Sequence, residues 1–184
     1  FHQPDAICIE PDFLDTLPGE ELTCGICEML KTFAIANPEM YAILSNQIAT
    51  GNVALSDEFI KECVMIKEGV VKQDPEEKGL RKILNLGHTY GHAIEWCSKG
   101  TISHGKAVAM GIIKAAELSE AKGIAKPGLT EQLKEDFRFC GLPTVLPFKD
   151  EELQEAIKQD KKTVDGKLNF VFIERIGKVT VKKI

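Results

Sequence analysis

The chain has 184 residues, with 28 acidic and 23 basic side chains and a formal net charge of −5, and it is long enough for one domain with a sizeable core. The acidic balance, without a basic run, argues against nucleic acid or an anionic membrane as the main partner and favours a small molecule. No apolar stretch could cross a bilayer and the N-terminus lacks a signal-peptide pattern, so a soluble, cytoplasmic protein is expected.

The first residues, "FHQPDAICIE", run without an initial Met into the strand-like segment "AICIE". This start is typical of a piece of a larger protein, and a short strand is expected there. The spacing of apolar residues and capping signals then predict a series of helices. The first covers residues 17–37 and ends before Pro38, and the second covers 56–74 with Ser56 as N-cap. The third runs from about Glu77 to Ser98, and the fourth from about His104 to Lys122 with Gly123 as its cap. Two shorter helices lie within 129–143 and 150–160.

The last residues, "KKTVDGKLNFVFIERIGKVTVKKI", change character, because an Asp165-Gly166 turn lies between runs of β-forming residues. Such a pattern predicts a β-hairpin. The expected fold class is therefore mainly α: a multi-helical domain with minor strands near the N-terminus and a C-terminal hairpin.

The six cysteines are too sparse and irregular for a disulfide scaffold, so reduced thiols are expected. Cys24 and Cys27, in "CGIC", have the spacing of a redox or zinc pair. There is no second CxxC, and the segment is predicted to be helical. Small residues packed on a helix are the favoured interpretation.

The third predicted helix carries an unusual polar face. On a helical wheel its polar residues fall within an arc of roughly 80°. They are Arg81, Asn85, His88, His92 and Glu95. These side chains coordinate metals, donate hydrogen bonds in a fixed geometry or titrate near neutral pH. A solvent-exposed helix face, by contrast, is usually rich in Lys and Glu. The stripe favours a functional site over hydrogen-bonded core histidines.

A glycine precedes each histidine of "LNLGHTYGHAIE". Gly87 and Gly91 would each cost about 1 kcal/mol relative to Ala within a helix. Their lack of side chains allows a neighbouring helix, strand or ligand to approach the backbone beside the histidines. We therefore expect close packing at this position.

His88 and His92 are four residues apart, a spacing that presents two imidazoles to one metal ion. A catalytic zinc site needs three protein ligands and an open position, so a third ligand must come from elsewhere. The candidates are His104, in "SHGKAVAMG", and a carboxylate. The residues alone predict a metal site that uses two or three of His88, His92 and His104, and they leave the reaction open.

The segment "KEGVVKQDPEEKGLRKILNLGHTYGHAIE", followed by "SHGKAVAMG", resembles the C-terminal domain of the 3-dehydroquinate synthase family. The flanking segments "FHQPDAICIEPDFLDTLP", "GICEMLK" and "DKKTVDGKLNFVFIERIG" are similar as well. The resemblance spans nearly the whole chain. It implies that residues 1–184 are the metal- and substrate-binding C-terminal domain, without the family's NAD-binding N-terminal domain.

The resemblance implies a zinc site formed by Glu28, His88 and His104. Cobalt is the alternative metal, because it can occupy many zinc sites. It implies that His92 does not bind the metal but assists proton transfer. Other family positions hold the carboxylate, phosphate and hydroxyls of the substrate, and they match Lys31, Lys67, Arg81, Asn85 and one of Lys161 or Lys162. Converging cations suit a ligand that carries both a carboxylate and a phosphate.

The implied activity is that of a carbon–oxygen lyase. It converts 3-deoxy-arabino-heptulosonate 7-phosphate to 3-dehydroquinate and phosphate, on the shikimate route to chorismate and the aromatic amino acids. Bound NAD oxidises a ring hydroxyl and later returns the hydride, and a Lewis acid such as zinc suits the oxidation. The resemblance also implies a homodimer of the full-length protein. Because the NAD-binding domain is not part of these residues, we expect the chain to be inactive alone.

Two other interpretations are retained. Another member of the superfamily, either a sugar-phosphate cyclase or a metal-dependent polyol dehydrogenase, would share the metal site, although the dehydrogenases mainly use Asp where Glu28 stands. A helical interaction module without metal would also present a polar stripe. That module predicts no bound metal and no loss of function in His104→Ala.

Overall fold

The computed structural model describes residues 4–51, 56–160 and 168–184, and it confirms a mainly helical fold with a C-terminal hairpin. The helices are α1 Gly19–Ala36, α2 Pro38–Ala49, α3 Asp57–Gln73, α4 His88–Cys97, α5 His104–Ala121, α6 Leu129–Phe139 and α7 Asp150–Asp160. The 3₁₀ segments are Pro11–Thr16 and Leu80–Asn85, and the strands are β1 Asn169–Arg175 and β2 Lys178–Lys183. None of the helices described combines the length and apolarity needed to cross a membrane.

Helix α5 lies at the centre of the core. Eleven of its residues are buried, and it contacts α1, α4, α6 and β1. This burial follows from its sequence, because a helix that is apolar nearly all round must be covered from every side. The packing of α1 and α4 on α5 brings the segments that carry the predicted site against one another.

The single helix predicted over residues 77–98 is wrong, because the chain breaks at Gly87 between a 3₁₀ segment and α4. Gly87 has φ +78°, a left-handed conformation that other residues rarely adopt. A Cβ there would lie 2.6 Å from Ile112 Cγ1 and 2.9 Å from the backbone oxygen of Val108, both in α5. A Cβ on Gly91 would lie 3.4 Å from Val108 Cα. The close packing expected at the two glycines is therefore present, and α5 is the neighbour.

The strand predicted near the N-terminus does not form in the described structure. Residues 4–10 lead into the first 3₁₀ segment without strand structure, and Ile7 and Ile9 are 76% and 48% exposed. A strand needs hydrogen-bonded neighbours and an apolar face to cover. The sheet of the described residues consists of β1 and β2, and it offers this segment no partner.

Strands β1 and β2 pair antiparallel, which confirms a C-terminal hairpin, but its turn lies at residues 176–177 and not at the predicted Asp165-Gly166. The predicted Asp165-Gly166 turn lies outside the described residues. The backbone N–H of Ile173 donates to the hydroxyl of Ser119 in α5 at 3.0 Å. This buried hydrogen bond attaches the hairpin to the central helix.

All six cysteines are free thiols. Cys24 and Cys27 lie on α1, and burial raises the pKa of the Cys27 thiol. A buried, protonated thiol is a poor nucleophile and a poor metal ligand. The structure thus favours the packing interpretation of "CGIC".

Candidate metal centre and cation-lined cleft

Three potential metal ligands converge from three helices. Glu28 lies in the middle of α1, while His88 and His104 are the first residues of α4 and α5. One ligand atom from each residue lies within 4.8 Å of the other two. Residues that are distant in the sequence therefore form one compact donor set, and it is the set that the family resemblance implies.

The close approach of α1 and α5 brings Glu28 to His104. A Cβ on Gly105 would lie 2.5 Å from Cys24 Cβ and 2.6 Å from Cys24 Cα, so a larger residue cannot be accommodated without moving a helix. Glu28 is one turn beyond Cys24 on the same face of α1, and Gly105 directly follows His104. The helix contact therefore sets the distance between the two ligands.

The Glu28 carboxylate has one satisfied and one unsatisfied oxygen. Its Oε2 lies 2.6 Å from the Nζ of Lys31, whereas Oε1 is buried and has no hydrogen-bond partner. The Nε2 of His104 lies 3.7 Å from Oε1, which is too far for a hydrogen bond. A buried unpaired oxygen is costly, and a cation held between the carboxylate and the imidazoles would satisfy it. These donors fit a metal ion.

His88 has the orientation and the charge state that a metal ligand requires. Its Nδ1 lies 3.1 Å from the backbone oxygen of Leu86, so the neutral ring donates there and presents the lone pair of Nε2. Burial, reinforced by the nearby Lys31 ammonium, lowers the pKa of His88 to about 4. The ring is therefore neutral at pH 7, and a metal ion need not displace a proton.

His92 lies beside the donor set. Its ring centroid is 5.4 Å from that of His88 and 6.4 Å from that of His104, and it is not among the three residues whose ligand atoms cluster. Spacing along the chain pairs His88 with His92, whereas the fold groups His88 with His104 and a carboxylate. The role of His92 in proton transfer stays a prediction.

A cleft of about 450 Å³ opens next to Glu28 and His88. It brings together most of the side chains predicted to hold a substrate, namely Lys31, Lys67, Arg81 and Asn85. Lys31 is only 7% exposed, so its ammonium acts from within the wall of the cleft. Lys161 and Lys162 lie outside the described residues. The cleft can therefore present three cations and an amide to an anionic ligand beside the metal donors.

Asp74 organises the turn that carries Arg81, and the sequence analysis missed it. Its carboxylate accepts hydrogen bonds from the backbone N–H groups of Lys78, Gly79 and Arg81 at 2.8 to 2.9 Å. The Arg81 and Gly79 donors lower the pKa of the Asp74 carboxyl. The Arg81 guanidinium donates in turn to the backbone oxygen of Pro75 at 2.8 Å, which holds the side chain against the same turn.

Glu77 is a second residue of this turn that the sequence analysis missed. It adopts φ +58°, which is unusual for a residue other than glycine, and its Oε1 accepts a hydrogen bond from Asn85 Nδ2 at 2.7 Å. Both residues line the cleft. The Asp74-Pro75 step, followed by Gly79, is a turn signal that could have revealed this segment.

The family model described as "3-dehydroquinate synthase C-terminal" matches residues 25–163. Among curated proteins, the chain is 40% identical to a protein of Thermococcus kodakarensis and 41% identical to one of Xylella fastidiosa, both named 3-dehydroquinate synthase. These alignments cover 100% and 96% of the chain but 51% of each relative. The chain thus spans about half the length of the curated relatives it matches.

Solved structures share the fold at lower identity. One is a 2-epi-5-epi-valiolone synthase, ValA of Streptomyces hygroscopicus, with NAD⁺ and Zn²⁺ bound. The two structures superpose with a TM-score of 0.85 at 20% identity, and the match covers 96% of this chain and 51% of the ValA chain. Another is a 2-deoxy-scyllo-inosose synthase complexed with carbaglucose-6-phosphate, NAD⁺ and Co²⁺. Its TM-score is 0.77 at 24% identity, and the match covers 92% of this chain and 50% of the synthase chain.

Proposed function

The chain belongs to the 3-dehydroquinate synthase C-terminal family, and on that premise we propose that it is the metal- and substrate-binding half of a 3-dehydroquinate synthase. The complete enzyme would be a lyase that converts 3-deoxy-arabino-heptulosonate 7-phosphate to 3-dehydroquinate and phosphate. One observation carries the proposal: the Glu28, His88 and His104 donor set directly adjoins a cleft lined by three cations.

Glu28, His88 and His104 would hold the metal ion, since a carboxylate and two neutral imidazoles with an open position are the ligands of catalytic zinc sites. When bound, zinc supplies a Lewis acid that lowers the pKa of a substrate hydroxyl during its oxidation. Cobalt could occupy the same ligands, because ligand type alone does not separate the two metals. A relative in fold carries Zn²⁺ and another carries Co²⁺.

The cations of the cleft would bind and orient the substrate. Arg81 can contact a carboxylate or phosphate through two parallel hydrogen bonds, while Lys31 and Lys67 act as point charges. Asn85, held by Glu77 at 2.7 Å, would contact a hydroxyl. In an acidic protein, this cluster concentrates positive potential at the cleft. His92, next to His88 and His104, would transfer a proton to or from the substrate.

The remaining parts of the proposal concern the complete enzyme. NAD would bind in the half of the protein that precedes this domain, so the chain alone would hold metal but not turn over substrate. Lys161 or Lys162 would add a further cation to the substrate site. We also propose that the complete protein is cytoplasmic and that it is a homodimer, as the family resemblance implies.

The alternative is a sugar-phosphate cyclase that acts on another ketose phosphate, since the solved structures that share the fold are named 2-epi-5-epi-valiolone synthase and 2-deoxy-scyllo-inosose synthase and not 3-dehydroquinate synthase. It would use the same metal ligands and differ at the residues that contact substrate. Arg81 and Asn85 in the cleft, and His92 beside the donor set, match positions of the synthase family and favour the synthase, as does the higher identity of the relatives named 3-dehydroquinate synthase.

The test is release of inorganic phosphate from 3-deoxy-arabino-heptulosonate 7-phosphate by this chain joined to its natural upstream sequence, in the presence of NAD and zinc. The synthase proposal predicts turnover that requires NAD and collapses in His88→Ala. Zinc binding without phosphate release would leave the metal centre in place and move the assignment to a cyclase with a different substrate.

A further inference from the structure

Glu95 brings its carboxylate to the outer ring nitrogen of His104. Its Oε1 and Oε2 lie 3.2 and 3.3 Å from His104 Nδ1. A carboxylate only accepts hydrogen bonds, so Nδ1 is the donor, and Nε2 is the nitrogen that can bind a metal ion. That Nε2 is the atom that lies 3.7 Å from the buried, unpaired Oε1 of Glu28.

His104 needs such a partner more than His88 does. The His104 side chain is 49% exposed, so packing alone does not restrict its ring to one orientation. His88 is half-buried and is anchored by the backbone oxygen of Leu86. The Glu95 carboxylate is the corresponding anchor of His104.

The position of Glu95 in the fold suits this role. It follows His88 by about two helical turns, so both residues lie on the same face of α4. His104 begins α5 after a short connection. One helix thus carries a metal ligand and also the group that orients a ligand on the next helix.

We propose that Glu95 is a positioning residue of the metal centre, which holds His104 in its Nδ1-protonated tautomer with Nε2 directed at Glu28 and His88. The inference rests on the proposed metal centre and deepens it. A carboxylate behind a ligating imidazole also makes the imidazole a better donor to the metal, and losing such a partner typically weakens metal binding about 10- to 100-fold.

The first test measures the zinc dissociation constant of this chain by competition with a chromogenic chelator. Glu95→Ala should weaken zinc binding about 10- to 100-fold. Glu95→Gln should weaken it less, because the amide oxygen still accepts the proton of Nδ1. Glu155→Gln is the matched control: it removes the same charge from an exposed site on α7, which packs against α4, and should leave the dissociation constant unchanged.

The second test separates positioning from simple stabilisation of the fold. Long-range ¹H–¹⁵N NMR of the metal-free chain should show His104 with its proton on Nδ1, and Glu95→Ala should lose that single tautomer. A merely structural role would lower the melting temperature of the metal-free chain without this spectroscopic change.

Two results would overturn the role of Glu95 alone: unchanged zinc affinity in Glu95→Ala, or zinc bound through Nδ1 of His104. If the unaltered chain folds but binds no zinc, the metal centre fails and the role of Glu95 fails with it.

Discussion

Replacing Gly87 with alanine should destabilise the junction that positions His88. Two costs arise at this site. A residue with a Cβ in the left-handed conformation costs about 1–2 kcal/mol, and Gly87 has φ +78°. In addition, the new Cβ would lie 2.6 Å from Ile112 Cγ1 and 2.9 Å from the backbone oxygen of Val108. Forcing an extra carbon into a packed core typically costs about 1–3 kcal/mol.

Gly100→Ala separates the two costs. Gly100 has nearly the same φ, +79°, but its Cβ position has no atom within 4 Å. The substitution should therefore cost only the conformational term of about 1–2 kcal/mol. Any stabilisation that arises because alanine restricts the unfolded chain is the same in both variants and cancels. Gly87→Ala should lower the free energy of unfolding by about 2–5 kcal/mol in total, by adding the overlap cost to the conformational one.

The assay is chemical denaturation of the metal-free chain, in the presence of a chelator, followed by circular dichroism. Gly87→Ala should unfold at lower denaturant concentration than Gly100→Ala, and it should also bind zinc more weakly, since His88 must shift with its neighbour. Equal losses of stability in the two variants would show that α5 yields to the new Cβ. Close packing at Gly87 would then not be what positions His88.

Three further predictions concern single side chains. Ser119→Ala should lower the free energy of unfolding by about 1–3 kcal/mol, because the buried N–H of Ile173 loses its acceptor; an unchanged denaturation midpoint would contradict this. Asp74→Asn should lower the melting temperature near neutral pH. Since backbone donors lower the pKa of Asp74, its contribution is present above the unfolded pKa of about 4 and is lost as the pH falls through the lower folded pKa. The difference from the unaltered chain should vanish in that acidic range, and a constant difference would disprove the assignment. For the proposed synthase, Lys67→Met should raise KM for the phosphorylated substrate, whereas Lys72→Met, on the same helix but paired with Glu68, should not; equal effects would exclude a specific role for Lys67.

Much of the helical fold could be predicted from local patterns, but not the second helix. Helix α5 begins at His104 as predicted, because its apolar residues and start signal are local. Pro38 was interpreted as a stop for α1, yet it also begins α2. Pro suits the first position of a helix, and the side chain of Asn37 caps α2 by accepting the N–H of Met40 at 3.1 Å.

The break before α4 could not be predicted from periodicity. The polar residues of this region do share a cleft, but Arg81 and Asn85 reach it from a 3₁₀ segment rather than from one continuous helix. The break depends on the contact of Gly87 with Val108 and Ile112 of α5. This contact joins segments that are distant in the sequence, so the spacing of apolar residues within either segment does not predict it.

The grouping of the metal ligands could not be predicted from local spacing either. Spacing alone pairs His88 with His92, because residues four apart share a helix face. The grouping of His88 with His104 and Glu28 requires the close approach of α1 and α5 at Gly105. Resemblance to a family supplies that grouping, whereas local pattern does not.

The most direct test of the metal centre is the zinc content of this chain after dialysis, compared with four alanine variants. The unaltered chain and the His92→Ala chain should each hold one zinc, whereas Glu28→Ala, His88→Ala and His104→Ala should lose it. Zinc retained in His104→Ala but lost in His92→Ala would contradict the three-ligand site, because the metal would then bind to the pair of histidines on α4.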